Sequence, residues 1–228
     1  MFEKINNYQY WDQGWKLVEG CDPVSEGCKN CWSLGMEKWL GKDTNVKFHH
    51  ERLIKPYKFK KPTSFCVWND LFHDSVHFLN TDRAFEVMTD CKQHIFMVLT
   101  KRIKRAVDWV NHYNSKIPDN IWMGVTVETQ DYDWRITELL KIPAKIRFVS
   151  IEPFLGHMDG GVYDSNGIFL YNWLEKIDWV IAGRETGRGA RPMKIEWLQS
   201  IHQQCKYHNV PFFDKRNELS LNIQQFPK

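Results

Sequence analysis

The sequence predicts an α/β fold built on a parallel sheet. Two observations lead to this class: short apolar runs recur along the chain, and helix-period stretches lie between most of them. The runs are rich in β-branched or aromatic residues and are flanked by polar or turn residues, which is typical of strands. Because they are continuously apolar, we expect both faces of the sheet to be buried. The predicted strands cover residues 64–68, 95–99, 121–127, 146–151, 179–182 and 210–213.

The stretches between these runs have the spacing of amphipathic helices. In the last of them, Trp197, Ile201 and Cys205 repeat every four residues. An earlier strand near 15–18 and a helix over 33–40 would extend the series to about six or seven βα units. Such units require a parallel sheet, either open and doubly wound or curled into a full or partial barrel. The other predicted helices cover residues 81–91, 103–113, 132–140 and 195–208.

The chain reads as a single domain over residues 1–228, because no repeat, low-complexity tract or linker divides it. Its hydrophobic content of 43% is sufficient for a core, which excludes disordered and collagen-like classes. The segment 156–176 is less regular and contains three glycines. We predict that it is a surface insertion, able to cover a pocket.

Charge and composition leave the partner open. The 31 basic and 28 acidic residues give a formal net charge of +3, which is too small to identify a nucleic-acid binder. No apolar stretch approaches the roughly 18–20 residues that a membrane span needs. Residues 1–10 lack the pattern of a secretory signal. We therefore expect a cytoplasmic protein without a membrane partner; its oligomeric state stays open.

Polar side chains follow the predicted strands at the point where each strand ends. In a parallel α/β fold these ends meet at one edge of the sheet, which is the usual place of ligand binding and catalysis. The sequence therefore predicts one shared pocket. The residues at the strand ends are Asn69 and Asp70, Lys101 and Arg102, Glu128, Glu152, Arg184 and Glu185, and Asp214 to Arg216.

Three of the six cysteines, Cys21, Cys28 and Cys31, fall within one short segment. A proline and a glycine disfavour a regular helix there, so the segment is predicted to be a loop that wraps its sulfurs around a centre. An iron–sulfur cluster held by three thiolates would keep one iron open, whereas structural zinc needs a fourth ligand, for which His49 or His50 is available. A disulfide is disfavoured by the expected reducing compartment. Cluster, zinc and metal-free alternatives remain.

The segment Trp15-Lys-Leu-Val-Glu-Gly-Cys21, followed by Ser25-Glu-Gly-Cys28-Lys-Asn-Cys31, resembles the opening motif of the phage protein thirty-seven/sixty-eight family, a group spread through phages and bacteria. Further blocks follow in the family's order, over about residues 11–216. These blocks are Asn69-Asp-Leu-Phe-His-Asp74, Val98-Leu-Thr-Lys-Arg102, Trp122-Met-Gly-Val-Thr-Val-Glu128, Arg147-Phe-Val-Ser-Ile-Glu-Pro-Phe-Leu-Gly156, Asp178-Trp-Val-Ile-Ala-Gly183, Gly187-Arg-Gly-Ala-Arg-Pro-Met193 and Val210-Pro-Phe-Phe213.

The resemblance implies a partial TIM-like (βα)6-7 barrel with parallel strands, similar to radical S-adenosylmethionine (SAM) enzymes. It also implies that Cys21, Cys28 and Cys31 are the ligands of a [4Fe–4S] cluster. Six residues separate the first two cysteines, where the familiar radical-SAM spacing has three. Arg184 stands where the family usually has a glycine, and Asp214 where it is usually aromatic, so we expect a different substrate choice. A phage origin would place the protein in the cytoplasm of a bacterial host.

We hypothesise that the open iron of the cluster binds SAM. One electron from a reducing donor would then cleave SAM to a 5′-deoxyadenosyl radical, which abstracts hydrogen from the substrate. The cofactor-binding residues are assigned by their positions in the barrel: Asn69 and Asp70 for the amino group, Lys101 or Arg102 for the carboxylate, and Glu128, Ser150 or Glu152 for the ribose.

The second half of the predicted pocket is cationic and is assigned to the substrate. Glycines of the turn 183–189 let backbone amides approach an anion, and arginine suits phosphate or carboxylate. Two basic runs, 55–61 and 101–105, could contact a nucleic-acid backbone. Together with the phage association that the resemblance implies, these charges predict a nucleotide or a modified base in phage DNA as the substrate. The predicted substrate-binding residues are Arg184, Glu185, Arg188, Arg191 and Lys215.

Two other functions compete with the radical enzyme. The first is a zinc-stabilised nucleic-acid-binding accessory protein without catalysis, held by the same cysteines. The second is a hydrolase or nuclease that holds a divalent ion with Asp70, His73, Asp74 and Glu128. The dispersed cysteines, at positions 66, 91 and 205, are predicted to be structural.

Overall fold

A computed structural model describes residues 9–41, 44–113, 116–164, 166–187 and 189–228. Its α-helices are α1 (Trp32–Trp39), α2 (Phe78–Asp90), α3 (Ile103–Tyr113), α4 (Trp134–Leu139) and α5 (Ile195–Tyr207). Its strands are β1 (Gln13–Gly14), β2 (Val18–Glu19), β3 (Lys47–Phe48), β4 (Ser64–Val67), β5 (Ile95–Thr100), β6 (Ile121–Thr126), β7 (Arg147–Ile151), β8 (Gly161–Tyr163), β9 (Phe169–Asn172), β10 (Trp179–Ala182) and β11 (Phe212–Asp214).

Seven of these strands form one sheet in the order β1-β4-β5-β6-β7-β10-β11, and every neighbouring pair is parallel. The spatial order follows the chain order without a reversal. In a doubly wound sheet the strand order reverses near the middle, which places helices on both faces. When every right-handed crossover leads to the next strand on the same side, all the helices lie on one face. The sheet is therefore a parallel half-barrel, compatible with a partial TIM-like fold, and the predicted α/β class is confirmed.

Alternation along the strands separates two buried clusters. Phe65, Phe96 and Val180 belong to the larger cluster, which also contains the apolar faces of the helices. Cys66 and Met97, their neighbours in sequence, belong to a smaller cluster. Because successive side chains of a strand point to opposite faces, the smaller cluster fills the concave face of the half-barrel. Its other buried members are Tyr10, Trp122, Ile146, Phe148, Trp179, Ile181 and Phe213.

Gly124 of β6 is tightly packed against the neighbouring strand. A Cβ atom at this position would collide with the ring of Phe148 on the neighbouring strand. We expect Gly124→Ala to lower the free energy of unfolding by about 1–3 kcal/mol, as overpacked core substitutions do. Gly35 in α1 has open space around its Cα, so Gly35→Ala should instead raise stability by about 0.5–1 kcal/mol. Urea unfolding of both variants measures this difference; equal effects would contradict it.

Five crossovers contain an α-helix, whereas the described residues of the connection from β7 to β10 form none. It contains the hairpin β8–β9 and a single turn of 3₁₀-helix, Trp173–Lys176. Trp173 and Leu174 are buried in the larger cluster, and Gln204 of α5 bonds to Gly160. The segment 156–176 therefore lies on the helical side of the sheet. The expectation that it covers the pocket was wrong, because none of its described residues lines the cavity at the carboxyl ends of the strands, and Trp173 and Leu174 anchor it in the core.

The first predicted strand was misplaced. The sheet begins at Gln13–Gly14, and Val18–Glu19 pairs antiparallel with β3 in a separate ribbon. Trp15 leaves the sheet edge because its indole is fully buried and donates to the carbonyl of Arg52. A strand of two residues is too short to show a periodicity. None of the described helices is long and apolar enough to cross a membrane.

Candidate active site at the carboxyl edge of the sheet

A cavity of about 660 Å³ opens at the carboxyl ends of the parallel strands. Its size lies within the range of small-molecule sites. The shared pocket predicted from the strand ends is therefore present. Of the predicted site residues, the cavity is lined by Cys21, Cys28, Cys31, Asn69, Asp70, Lys101, Arg102, Ser150, Glu152, Arg184, Glu185 and Lys215.

The cysteine segment follows β2 and leads into α1, within the crossover from β1 to β4. It contains one turn of 3₁₀-helix, Glu26–Cys28, and Cys31 directly precedes α1. All three thiols are unpaired and half-buried. Two cations from the end of β5 reach the sulfurs: Lys101 Nζ lies 3.5 Å from Cys28 Sγ, and Arg102 NH1 lies 3.7 Å from Cys21 Sγ. The loop thus brings its thiols to one cavity, beside positive charge.

The two cations do not act equally on the two thiols. Burial raises the pKa of the Cys21 thiol, and Arg102 offsets only part of this effect. At Cys28 burial also opposes ionisation, but the Lys101 ammonium and hydrogen bonds from the loop leave its pKa below the usual thiol value. Of these two thiols, Cys28 is therefore the one that ionises more easily. Thiolates, rather than thiols, are the ligands of metals.

Glu128 holds the cysteine loop from behind. It is fully buried and does not line the cavity. Its carboxylate accepts a hydrogen bond of 2.6 Å from Ser25 and pairs with Lys101 at 2.5 Å and with Arg135 at 2.9 Å. A Cβ atom on Gly27 would lie 2.5 Å from the Glu128 side chain, so only glycine allows this approach. The predicted ribose ligand Glu128 instead positions the loop.

A second clamp joins the loop to the turn after β10. Glu185 accepts hydrogen bonds from the backbone and guanidinium of Arg191 at 2.6–2.9 Å and from Asn30 at 3.0 Å. Arg191 also pairs with Glu26 at 2.8 Å. Arg191, predicted to bind substrate, does not line the cavity and fastens the cysteine loop instead. Arg188, another predicted substrate ligand, lies outside the described residues.

The clamp predicts a pH-dependent contribution to stability. Hydrogen bonds from Arg191 lower the pKa of Glu185 from 4.5 to about 2. The contribution is therefore complete above pH 4.5 and is lost as the pH falls towards 2. We expect Glu185→Gln to lower the free energy of unfolding by about 1–3 kcal/mol at neutral pH. In urea titrations at stepped pH, the difference from wild type should shrink below pH 4.5.

The matched control for this clamp is Asp119→Asn. Asp119 pairs with Lys145 at 3.0 Å, but both side chains are exposed, and exposed pairs contribute little. We expect this variant to unfold as wild type does at every pH. A Glu185→Gln deficit that stays constant down to pH 3 would contradict the role of the ionised clamp.

Arg102 pairs with the two aspartates that follow β4. Its guanidinium contacts Asp70 at 3.2 Å and Asp74 at 3.4 Å, and it donates to the carbonyl of Asp22. Asp70 also accepts from Thr100 at 2.5 Å. Asp70 and Asp74, two of the metal ligands of the hydrolase hypothesis, are thus already paired with Arg102. Glu128, a third, is paired with Arg135. The structure does not support a divalent-ion site there.

The opposite wall of the cavity carries a different ion pair. Lys215 Nζ contacts both carboxylate oxygens of Glu152, at 2.6 and 2.5 Å. Arg184 is exposed and pairs with Glu218 at 2.5 Å. Ser150 is buried on the concave face and lines the cavity. Glu152, Lys215, Arg184 and Ser150 thus stand at the cavity as the strand ends predicted.

The three thiols are not arranged to bind one metal ion together. Among the described residues, no three Cys, His, Asp or Glu side chains stand close enough to share one metal ion. The zinc alternative needed a histidine, but His49 pairs with Glu19 and Glu51, and His50 contacts Arg83. Neither histidine lines the cavity, and neither does the basic run 55–61.

Aromatic residues form a part of the cavity that sequence reasoning missed. Tyr10, Trp11, Trp32 and Trp68 all line it. Tyr10 belongs to the smaller core cluster, where its ring meets that of Trp179 at 5.4 Å. The aromatic content of 14% and the position of Trp68, directly before Asn69 at a strand end, were the available signals.

A family model described as a protein of unknown function (DUF5131) matches residues 6–220. The chain belongs to this family. The DUF5131 match spans all seven strands of the sheet and every cavity-lining residue. No curated protein and no solved structure matches the chain. The resemblance to the phage protein family stays a prediction, and the function must be argued from the site.

Proposed function

We propose that this DUF5131 protein is a radical SAM-type enzyme that holds a [4Fe–4S] cluster and acts on a nucleotide or a nucleic-acid base. The observation that carries the proposal is the placement of three thiols on the loop after the first strand of a parallel half-barrel. There they line the same cavity as the polar strand ends. Loops at this edge carry the chemistry of barrel folds.

The donor set fits an iron–sulfur cluster. Such clusters are held by cysteine thiolates, and Cys21, Cys28 and Cys31 would be the ligands. When bound, the cluster supplies an open iron for SAM and an electron for its reductive cleavage, which permits hydrogen abstraction from a substrate. The three side chains must converge to hold it. The loop carries them between two anchors, Glu128 and Glu185, which fix its base.

The chain's own charges suit this role. Lys101 favours the thiolate form of Cys28, and Arg102 lies against Cys21, so positive charge is present where the thiolates would gather. Ser150 and Glu152 line the cavity with hydroxyl and carboxylate groups suited to a polar cofactor. Lys215 fixes the orientation of Glu152. Lys101, predicted with Arg102 as an alternative ligand of the SAM carboxylate, lines the cavity and also pairs with Glu128.

Metal analysis of protein purified without oxygen tests the proposal. After reconstitution with iron and sulfide, we expect brown protein with iron and sulfide in equal amounts, which forms 5′-deoxyadenosine from SAM when a reducing donor is present. A colourless protein that retains zinc instead would contradict the proposal. It would favour the zinc-stabilised nucleic-acid-binding accessory protein, whose binding survives iron chelation.

A further inference from the structure

Three tryptophans form one continuous wall of the cavity. The ring of Trp68 meets Trp11 edge-on at 5.2 Å and Trp32 edge-on at 5.7 Å, and all three line the cavity. Trp11 and Trp68 also pack against the smaller core cluster, which explains their burial structurally. Trp32 belongs to neither core cluster and is 51% exposed. Core packing therefore does not account for the whole wall.

Two polar side chains in the same cavity keep hydrogen-bonding groups that no described residue satisfies. Arg216 lines it and is exposed, and its guanidinium has no partner among the described residues. Asn69 accepts a hydrogen bond from Ser33, while its amide NH₂ donates to none of the residues that the structure describes. Basic side chains outnumber acidic ones among the lining residues. The cavity thus offers an anion contact and a free donor together with the aromatic wall.

We propose that this part of the cavity binds a nucleoside 5′-phosphate unit, with the base against the tryptophan wall and the phosphate at Arg216. Bases stack on aromatic side chains irrespective of their sequence, and a guanidinium matches the geometry of phosphate. Asn69 supplies a donor to the edge of the base. The inference rests on the proposed function in one respect, since it names the substrate class of the same cavity. None of the residues that would contact the nucleotide is one of the three cysteines that would hold the cluster.

Trp32→Ala and Trp39→Ala form a matched pair of variants. Both tryptophans lie on α1 and are exposed, but only Trp32 lines the cavity. Titration calorimetry with deoxynucleoside 5′-monophosphates is expected to show affinity about 5- to 150-fold weaker for Trp32→Ala, the loss expected for one stacked base. Trp39→Ala should bind as wild type does, and Trp32→Phe should restore most of the affinity. Equal binding by Trp32→Ala and wild type would overturn the inference.

Arg216→Gln tests the phosphate contact, with Arg83→Gln, an exposed arginine on α2, as its control. Arg216→Gln should weaken nucleotide binding about tenfold and leave nucleoside binding unchanged, because only the phosphate loses its partner. Arg83→Gln should change neither. Equal affinity of wild type for nucleosides and nucleotides would overturn the phosphate assignment. If a short single-stranded oligonucleotide binds more tightly than a mononucleotide, and in a salt-dependent way, the ligand is a nucleic-acid strand. If the two bind equally, the ligand is a free nucleotide.

The measurements use the metal-free full chain, so the two proposals fail separately. Protein that loads iron and forms 5′-deoxyadenosine but binds no nucleotide would overturn this inference alone. Protein that binds nucleotides through Trp32 and Arg216 but retains no iron would overturn the radical mechanism and support the inference.

Discussion

Replacing Glu128 by Ala is expected to lower the free energy of unfolding by about 3–5 kcal/mol, the usual cost of removing one partner of a buried ion pair. Glu128 is fully buried, and the side chain of its partner Arg135 is 1% exposed. Without the carboxylate, the Arg135 guanidinium stays buried, and the carbonyl of Thr126 is the hydrogen-bond acceptor that the described residues still offer it. Lys101 and Ser25 lose their contact as well. Urea unfolding monitored by circular dichroism measures the loss.

Two control variants make this prediction specific. Glu138 pairs with Lys141 at 2.6 Å, but the lysine is 54% exposed, so Glu138→Ala should cost less than about 1 kcal/mol. The double variant Glu128→Leu/Arg135→Leu should recover part of the loss, because no unpaired charge remains. Hydrogen exchange should show earlier opening of the cysteine loop in Glu128→Ala. Stability within 1 kcal/mol of wild type would show that Glu128 does not hold this region.

The strands and most helices could be predicted because their signals are local. The periodicity of α3 and the apolar run of β10 gave the observed bounds, Ile103–Tyr113 and Trp179–Ala182. The position of the cavity followed from topology alone, since parallel strands place their carboxyl ends at one edge. The choice of a half-barrel over a doubly wound sheet needed the strand order, which periodicity does not contain.

The roles of individual charges could not be predicted, because their partners are distant in sequence. Ser25 and Glu128 are separated by 103 positions, and Arg191 and Glu26 by 165. The side chain of a charged residue at a strand end can line the cavity or pair with groups outside it. The long-range pairings determine which of the two occurs. Glu128 and Arg191 therefore became anchors of the cysteine loop, whereas Glu152 and Lys215 face the cavity.

The tryptophan wall was missed for a related reason. Its members come from three separate segments: Trp11 precedes β1, Trp32 begins α1, and Trp68 follows β4. In the sequence, each of them can be read as an ordinary core or surface residue. Only their contacts at 5.2 and 5.7 Å, on the lining of one cavity, distinguish them from core residues.

Single replacements of the loop cysteines carry the largest functional effect that we expect. In anaerobically reconstituted protein, Cys21→Ala, Cys28→Ala and Cys31→Ala should each lower bound iron about tenfold or more. A cluster with three protein thiolates cannot lose one and keep a stable attachment. Formation of 5′-deoxyadenosine should be lost in parallel. Iron and sulfide per folded chain are the measurements, with circular dichroism to verify that each variant folds.

Cys91→Ala is the control for these variants, because Cys91 is a free but buried cysteine at the end of α2, inside the larger core cluster. It should retain its iron and lose only stability, since the thiol removed is a packing group. The comparison separates a ligand effect from a general loss of thiols. If Cys28→Ala bound as much iron as Cys91→Ala, the loop would not be the cluster site. The half-buried thiols beside Lys101 and Arg102 would then need another explanation.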